Sequence, residues 1–204
     1  MLLLVAAAEI LGMTLWFSAT AAAPQIAREF DLDPGWRAWL TMAVQAGFVA
    51  GTLSTALTNA ADAINARRLF ALGCLAGAAC NAAITAVPTA GAILALRFCT
   101  GAALAWVYPP GMKIAAGWFR ERRGTALGIV VGAVGLGSAF PHLFAWLGGG
   151  VSWRLLVAAS SVTCLGTGWH SRNTASPEPR EAATLQSIRR TTHTDCFTTS
   201  TLRS

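Results

Sequence analysis

The chain has 204 residues, of which 54% are hydrophobic and 12% charged, with a formal net charge of +6. Soluble domains carry about 25% charged residues, so this balance excludes an ordinary soluble enzyme and indicates an all-α, polytopic membrane protein. The positive charge does not indicate nucleic acid, because Lys and Arg cluster between the apolar runs and in the tail, where membrane topology accounts for them. Cys74, Cys80, Cys99 and Cys164 sit in apolar runs and Cys196 in the tail. No pair has metal-ligand spacing, so they read as small apolar filler, and no cofactor is implied.

The first apolar run covers residues 2–23. Ala21, Ala22 and Ala23 imitate a signal-peptide cleavage site. The run lacks a basic leader, is long for such a segment and contains Glu9, so it reads as a first spanning helix. Because no polar cap precedes it, the true start codon is expected upstream. Residues 24–37 read as a polar loop, and Trp36 and Trp39 mark a membrane interface. The second span covers residues 39–57, the third 69–87, and between them lies a short loop with Asp62, Arg67 and Arg68.

The fourth span, residues 91–112, carries one charge, Arg97, and leads into a basic loop with Lys113, Arg120, Arg122 and Arg123. An arginine inside a span costs about 3 kcal/mol on insertion scales, so it calls for a partner or a wet cavity. The fifth span, 124–147, has Gly124, Gly128 and Gly132 at spacing four, which would let helix backbones approach closely. Pro141 is expected to kink it. The sixth span, 153–169, is short. Residues 170–204 are Ser/Thr-rich, basic and without an apolar run, and read as a disordered tail, with a frameshift product as the second reading. Lys and Arg dominate the loops after spans two and four and the tail, which places those segments and both termini on the cytoplasmic side of a cell (inner) membrane.

Several stretches resemble the major facilitator superfamily, specifically the N-terminal six-helix half of its transporters. Asp62-Ala-Ile-Asn-Ala-Arg67-Arg68 is similar to the family's signature between helices two and three, with Thr58 and Asn65 where Gly is usual and Ala63 where a basic residue is usual. Arg97-Phe-Cys-Thr-Gly101 resembles the fourth-helix arginine motif. Trp118-Phe-Arg-Glu-Arg-Arg-Gly124 followed by Ala126-Leu-Gly128 resembles the connection from helix four to five, and Trp153-Arg154 the entry to helix six. Trp16-Phe-Ser-Ala-Thr and Tyr108-Pro-Pro-Gly111 are similar to the nitrate/nitrite and small-anion porter branch. The family's antiporter motif, a Gly-Pro pair followed by Gly-Gly, is absent from the fifth span, where Pro141 follows Phe140. The resemblance covers residues 1–169. It implies a secondary transporter built from inverted three-helix repeats, working by alternating access around a central cavity. It also implies that Asp62, Arg67 and Arg68 form a gating latch, where the residues alone allow a solvated basic loop.

Arg97 lies about 9 Å from the outer end of its span. It reads as an anion-attracting or proton-relay charge, or as an arginine bonding backbone carbonyls in the bundle. Glu9 lies about 10 Å from the inner end and reads as a proton-coupling carboxylate, or as a boundary residue if the chain starts upstream. His142 falls at a depth comparable to Arg97 and can titrate near neutral pH, against a packed or interfacial histidine. Gln45 and Tyr108, with Asn81 and Trp106, line a cavity or pack across helices.

The leading reading is one half of a transporter for a small solute, with Arg97 favouring an anion and a proton as the candidate coupling ion. Two others stay open: a truncated, non-transporting membrane fragment, and a half-transporter working as a homodimer. An enzyme is not expected, since no intramembrane Asp pair, metal motif or Ser/His pair stands out. The expected partners are the lipid bilayer and a small solute, with no nucleic acid.

Overall fold

The computed structural model describes residues 2–59, 64–119, 122–147 and 151–173. These form helices α1 (Leu2–Glu29), α2 (Trp36–Leu57), α3 (Ala66–Ala83, extended by a single 3-10 turn at Ile84–Ala86), α4 (Ala90–Leu104), α5 (Tyr108–Trp118), α6 (Arg123–Leu147) and α7 (Trp153–Asn173), with no strand among the described residues. The fold is that of an all-α polytopic membrane protein. Four segments are both long and apolar enough to cross a bilayer: Ala6–Glu29, Trp36–Leu57, Ala66–Ala86 and Ala90–Gly117. The last contains α4 and α5, which together make one broken rod. Counted that way, the described helices form six rods.

The helices outrun their apolar runs. α1 continues through Pro24 to Glu29, although the sequence from residue 24 reads as loop. Inside a helix a proline gives up its own N–H bond and crowds the carbonyl four residues back, here that of Thr20. There the Arg28 Nε donates back to the Pro24 carbonyl at 3.1 Å. α7 likewise reaches Asn173 rather than 169. Its polar residues stay inside an apolar bundle because they satisfy themselves locally. Ser160 and Ser161 donate to the Val157 carbonyl, and Thr167 to that of Cys164, as Ser and Thr in helices commonly do. α6 runs unbroken through Pro141. Lys113 lies within α5 instead of in the loop after it.

Cap chemistry explains two departures from the expected glycines. Asn65 is the N-cap of α3, at φ −55, and its side chain accepts from the Arg67 N–H. That φ needs no glycine, and Asn is among the preferred caps. Thr58 closes α2, donating its hydroxyl to the Ser54 carbonyl at 2.7 Å. The left-handed residue falls one place later, at Asn59 with φ 51, and Asn tolerates that region better than most.

α1 packs against α6 and α7, α2 against α4, and α3 against α4 and α7. The closest approaches are made by glycines other than those at spacing four. A Cβ on Gly47 of α2 would overlap the Phe98 carbonyl of α4, and one on Gly101 of α4 would overlap the Val44 carbonyl of α2. Gly73 of α3 similarly meets the Ala103 carbonyl and Trp106 at 2.9 Å. By contrast, Gly124, Gly128 and Gly132 of α6 face open space, so within this bundle they do not serve helix approach. Spacing four does put residues on one helix face, but the bundle leaves that face uncovered.

Two apolar clusters result. One gathers Ala22, Ile26, Trp36, Leu40, Ile84, Ile93, Trp153 and Val157 at the end where α1 finishes and α7 begins, called here the far end. The other gathers Met13, Leu15, Val44, Phe70, Cys74, Leu104, Val107 and Cys164. It lies toward the opposite end, where Arg67, Arg68, Arg122 and Arg123 sit, called the basic end.

Candidate functional site

Three ionisable groups meet α1 at three levels: the Glu29–Arg154 pair, Arg97 and Glu9. At the far end, Glu29 accepts from the Trp153 indole Nε1 at 2.6 Å and from both terminal nitrogens of Arg154, at 2.9 and 2.5 Å. The Arg154 guanidinium lies 4.5 Å from the centre of the Trp153 ring, and its Nε donates to the Thr85 carbonyl at 3.3 Å. One turn earlier on α1, the Gln25 amide accepts from the Trp153 N–H and donates to the Val151 carbonyl. A carboxylate gripped bidentately by arginine is among the stronger polar pairings. The clasp joins the ends of α1 and α3 to the start of α7.

At the middle level stands Arg97, fully buried on α4. Its Nη1 donates to the Leu15 carbonyl at 2.9 Å and its Nη2 to the Trp16 carbonyl at 2.6 Å. Each helical carbonyl has a second lone pair to offer, so α1 need not unwind to receive the arginine. The Nε has no partner, and no carboxylate pairs with the guanidinium among the described residues. In this conformation Arg97 bonds backbone carbonyls, one of the two roles its sequence context allows. Beside it, Trp16 packs edge-on against Phe48 with ring centres 5.3 Å apart.

At the third level, toward the basic end, Glu9 is fully buried and neither carboxylate oxygen has a hydrogen-bond partner. Six to seven residues of α1 separate it from the carbonyls that hold Arg97, about 10 Å at 1.5 Å per residue. Its carboxyl lies directly on α5: a Cβ added to Gly111 would overlap Glu9 Oε1. The groups near enough to feel its charge are Cys74 on α3, Cys164 on α7 and Tyr108 on α5. The two thiols are themselves neighbours, with Cys164 Sγ 3.7 Å from the Cys74 carbonyl. An ionised carboxylate without a partner in so dry a setting costs several kcal/mol, so its protonation and the local packing are linked.

The break in the fourth rod lies beside this carboxyl. α4 ends at Leu104 and α5 begins at Tyr108. Pro109 and Pro110 occupy the first turn of α5. They supply no N–H to the carbonyls four residues back, those of Ala105 and Trp106, so the helical ladder cannot run through. The break is held from three sides. The Trp106 Nε1 donates to Thr55 of α2 at 3.0 Å, Gly73 of α3 lies under Trp106, and a Cβ on Gly12 of α1 would meet Val107 at 3.1 Å.

The remaining candidates are scattered. Gln45 is exposed on α2 and Arg68 is exposed at the start of α3, while Arg67 is partly buried there. Asp62, the His142 side chain and residues 174–204 lie outside the described residues, as does any latch built on Asp62. Asn81, expected to pack or bond across helices, donates from α3 to the Val157 carbonyl, Ser160 and Ser161 of α7. Sequence reasoning passed over Thr55, Gln25 and Glu29, and took Gly111 only as part of a porter-like motif. The tandem prolines before Gly111 were the available signal for its structural role.

A family model described as Major Facilitator Superfamily matches residues 4–201, nearly the whole chain. Among solved structures, the bundle resembles one described as a bacterial homolog of the human lysosomal transporter Spinster, in an inward-facing and occupied conformation. The TM-score is 0.72 at 18% identity, over 87% of this chain and 44% of that one. At that identity the likeness shows the fold alone, and this chain spans less than half the length of that protein. No curated protein matches it in sequence.

Proposed function

The chain belongs to the major facilitator superfamily, and from that premise we propose that it acts as one six-helix half of a secondary transporter. It works by alternating access in the cell (inner) membrane with both termini cytoplasmic. It covers 44% of the solved structure it resembles, and the cavity in this architecture lies between two halves. A second six-helix body therefore completes the site: either the matching half or, in the homodimer reading, a second copy. The uncovered face of α6 at Gly124, Gly128 and Gly132 supports this, since small residues on one face suit close contact with another helix.

The solute is a small anion and the coupling ion a proton. The observation that carries this reading is the asymmetry of the two buried ionisable groups. Arg97 has carbonyls but no carboxylate for company, so a protonated Glu9 leaves the bundle core with one uncompensated positive charge. A fixed positive charge in a low-dielectric setting attracts an anion. Protonation of Glu9 then supplies the second ion of a symport, and Tyr108, beside Glu9 at the break, lines the path between them.

The test uses the full chain reconstituted in liposomes, as the free protein and as a covalently cross-linked dimer, with labelled small anions and neutral solutes offered at an inward proton gradient. The expected result is saturable anion uptake by the dimer that is abolished by Arg97→Ala, with the variant still inserted in the membrane. Uptake by Arg97→Ala at the wild-type rate would remove Arg97 from the site. Absence of uptake by both forms would leave the non-transporting fragment as the reading.

A further inference from the structure

The prolines, the gripped break and the bare contact at Gly111 lie within seven residues of one another, and the transport reading gives no role to the prolines or to Gly111. We propose that residues 105–107 form a hinge about which α5 swings away from α1 when Glu9 gives up its proton, so that the half of the fourth rod nearer the basic end opens and closes with the charge of a single carboxyl.

The fixed side of the hinge is α4. Its glycine-mediated contacts with α2 at Gly47 and Gly101 are backbone to backbone, and Trp106 is tied to Thr55. The moving side is α5, eleven residues long. Across the hinge the usual i to i−4 hydrogen bonds are missing because Pro109 and Pro110 cannot donate. Bending there breaks no ladder bond at those two positions.

The trigger is the Glu9 carboxyl, against which α5 lies without even a Cβ between. As a neutral acid it fits this apolar contact. As a carboxylate it needs water or donors, and the contacting backbone at Gly111 is already committed, its N–H bonded to the Val107 carbonyl at 3.1 Å. Water can reach the carboxylate only if α5 moves off. Among the described residues no cation is paired with Glu9. The titratable groups that sense its charge are Cys74, Cys164 and Tyr108; residues 124–139 of α6 and 38–57 of α2 contain none, and the cations Arg67, Arg68, Arg122 and Arg123 sit at the starts of α3 and α6. Lys113 is exposed on α5, and Arg97 is held at the next level up.

The proposal rests on the transport reading only for its purpose, and its test needs no solute, so failure of one is distinguishable from failure of the other. Amide hydrogen exchange is measured on the full chain in lipid nanodiscs across a pH series, with the intrinsic base-catalysed rate divided out. The expected result is that residues 111–118 exchange faster by about tenfold or more at high pH than at low pH, while α3 does not change. Glu9→Gln, which cannot ionise, keeps α5 at its slow rate throughout. Replacing Pro109 and Pro110 with alanine restores the two donors and shrinks the pH-dependent rise with Glu9 still present. An equal rise in Glu9→Gln, or a rise spread evenly over α3, α4 and α5, overturns the hinge.

Discussion

The two ends of α1 solve the same problem in opposite ways. Glu29 at the far end and Glu9 toward the basic end are both carboxyls on one helix, 20 residues apart. Glu29 is bound by an indole and a bidentate guanidinium, and the neighbouring Gln25 separately accepts the Trp153 backbone N–H. Glu9 has nothing, and a glycine makes room for it. A saturated carboxyl fixes helices in place, whereas an unsatisfied one makes the packing around it depend on its charge. The far end therefore serves as the anchor of α1, α3 and α7, and the basic end is where the bundle has latitude to change.

The contrast can be broken most severely at the glycine. Gly111→Leu drives a side chain into the Glu9 carboxyl, and the expected outcome is loss of monodisperse folded protein on size-exclusion chromatography. Gly111→Ala alone is expected to lower the unfolding temperature, and Glu9→Ala, which vacates the overlapped space, to recover much of it in the double variant. A double variant no better than the sum of its parts would show that the two residues do not share that space. Next in size is Arg97→Lys. A single ammonium cannot reproduce the planar fork that reaches two successive carbonyls, and loss of a charge-assisted bond amounts to about 1.5–3 kcal/mol. Thermal unfolding in detergent, compared with Arg97→Ala, separates loss of the bonds from loss of the charge.

A smaller effect is expected from Glu29→Gln. The amide keeps one acceptor for Trp153 but gives up the bidentate ion pair, whose good geometry is partly offset by its exposure to solvent. The unfolding temperature should fall less than for either buried variant. High salt should narrow the gap to wild type, because screening weakens the native pair. The smallest effect is reserved for Gly128→Ala, where a Cβ meets nothing. The isolated chain should be as stable as wild type or more stable by up to about 1 kcal/mol, since alanine is the better helix former. Any defect should then appear only in the cross-linked dimer or beside a matching half.

The sequence made the rods legible because lipid demands long apolar runs, and runs show in a single chain. It made Arg97 and Glu9 legible for the same reason, since a charge interrupts such a run. It did not reveal which glycines matter: spacing four says that Gly124, Gly128 and Gly132 share a face, but only the packing says that nothing covers that face. Gly47 and Gly101 stand in no repeat with each other and still make the tightest backbone-to-backbone contacts among the described glycines. The clasp was hidden by distance along the chain, since Glu29 and Arg154 are 125 residues apart. It was hidden also by Pro24, which reads as the end of a helix that in fact continues. Tyr108-Pro109-Pro110-Gly111 resembled a porter motif, but its more direct message was mechanical, in that two missing donors stop a helix from running through.

The broken rod also bears on the membrane around it. Ala90–Gly117 is 28 residues long, about 42 Å if fully helical, against a hydrocarbon core of about 30 Å. A straight rod of that length would have to tilt as a whole or stretch the bilayer locally. The break divides the surplus, so α4 can stay upright against α2 while α5 alone takes up the slack. Lipid chain length should then act as a lever on α5, with thick bilayers drawing it toward the axis of α4 and thin ones laying it over, which would tune the protein to the host membrane's thickness.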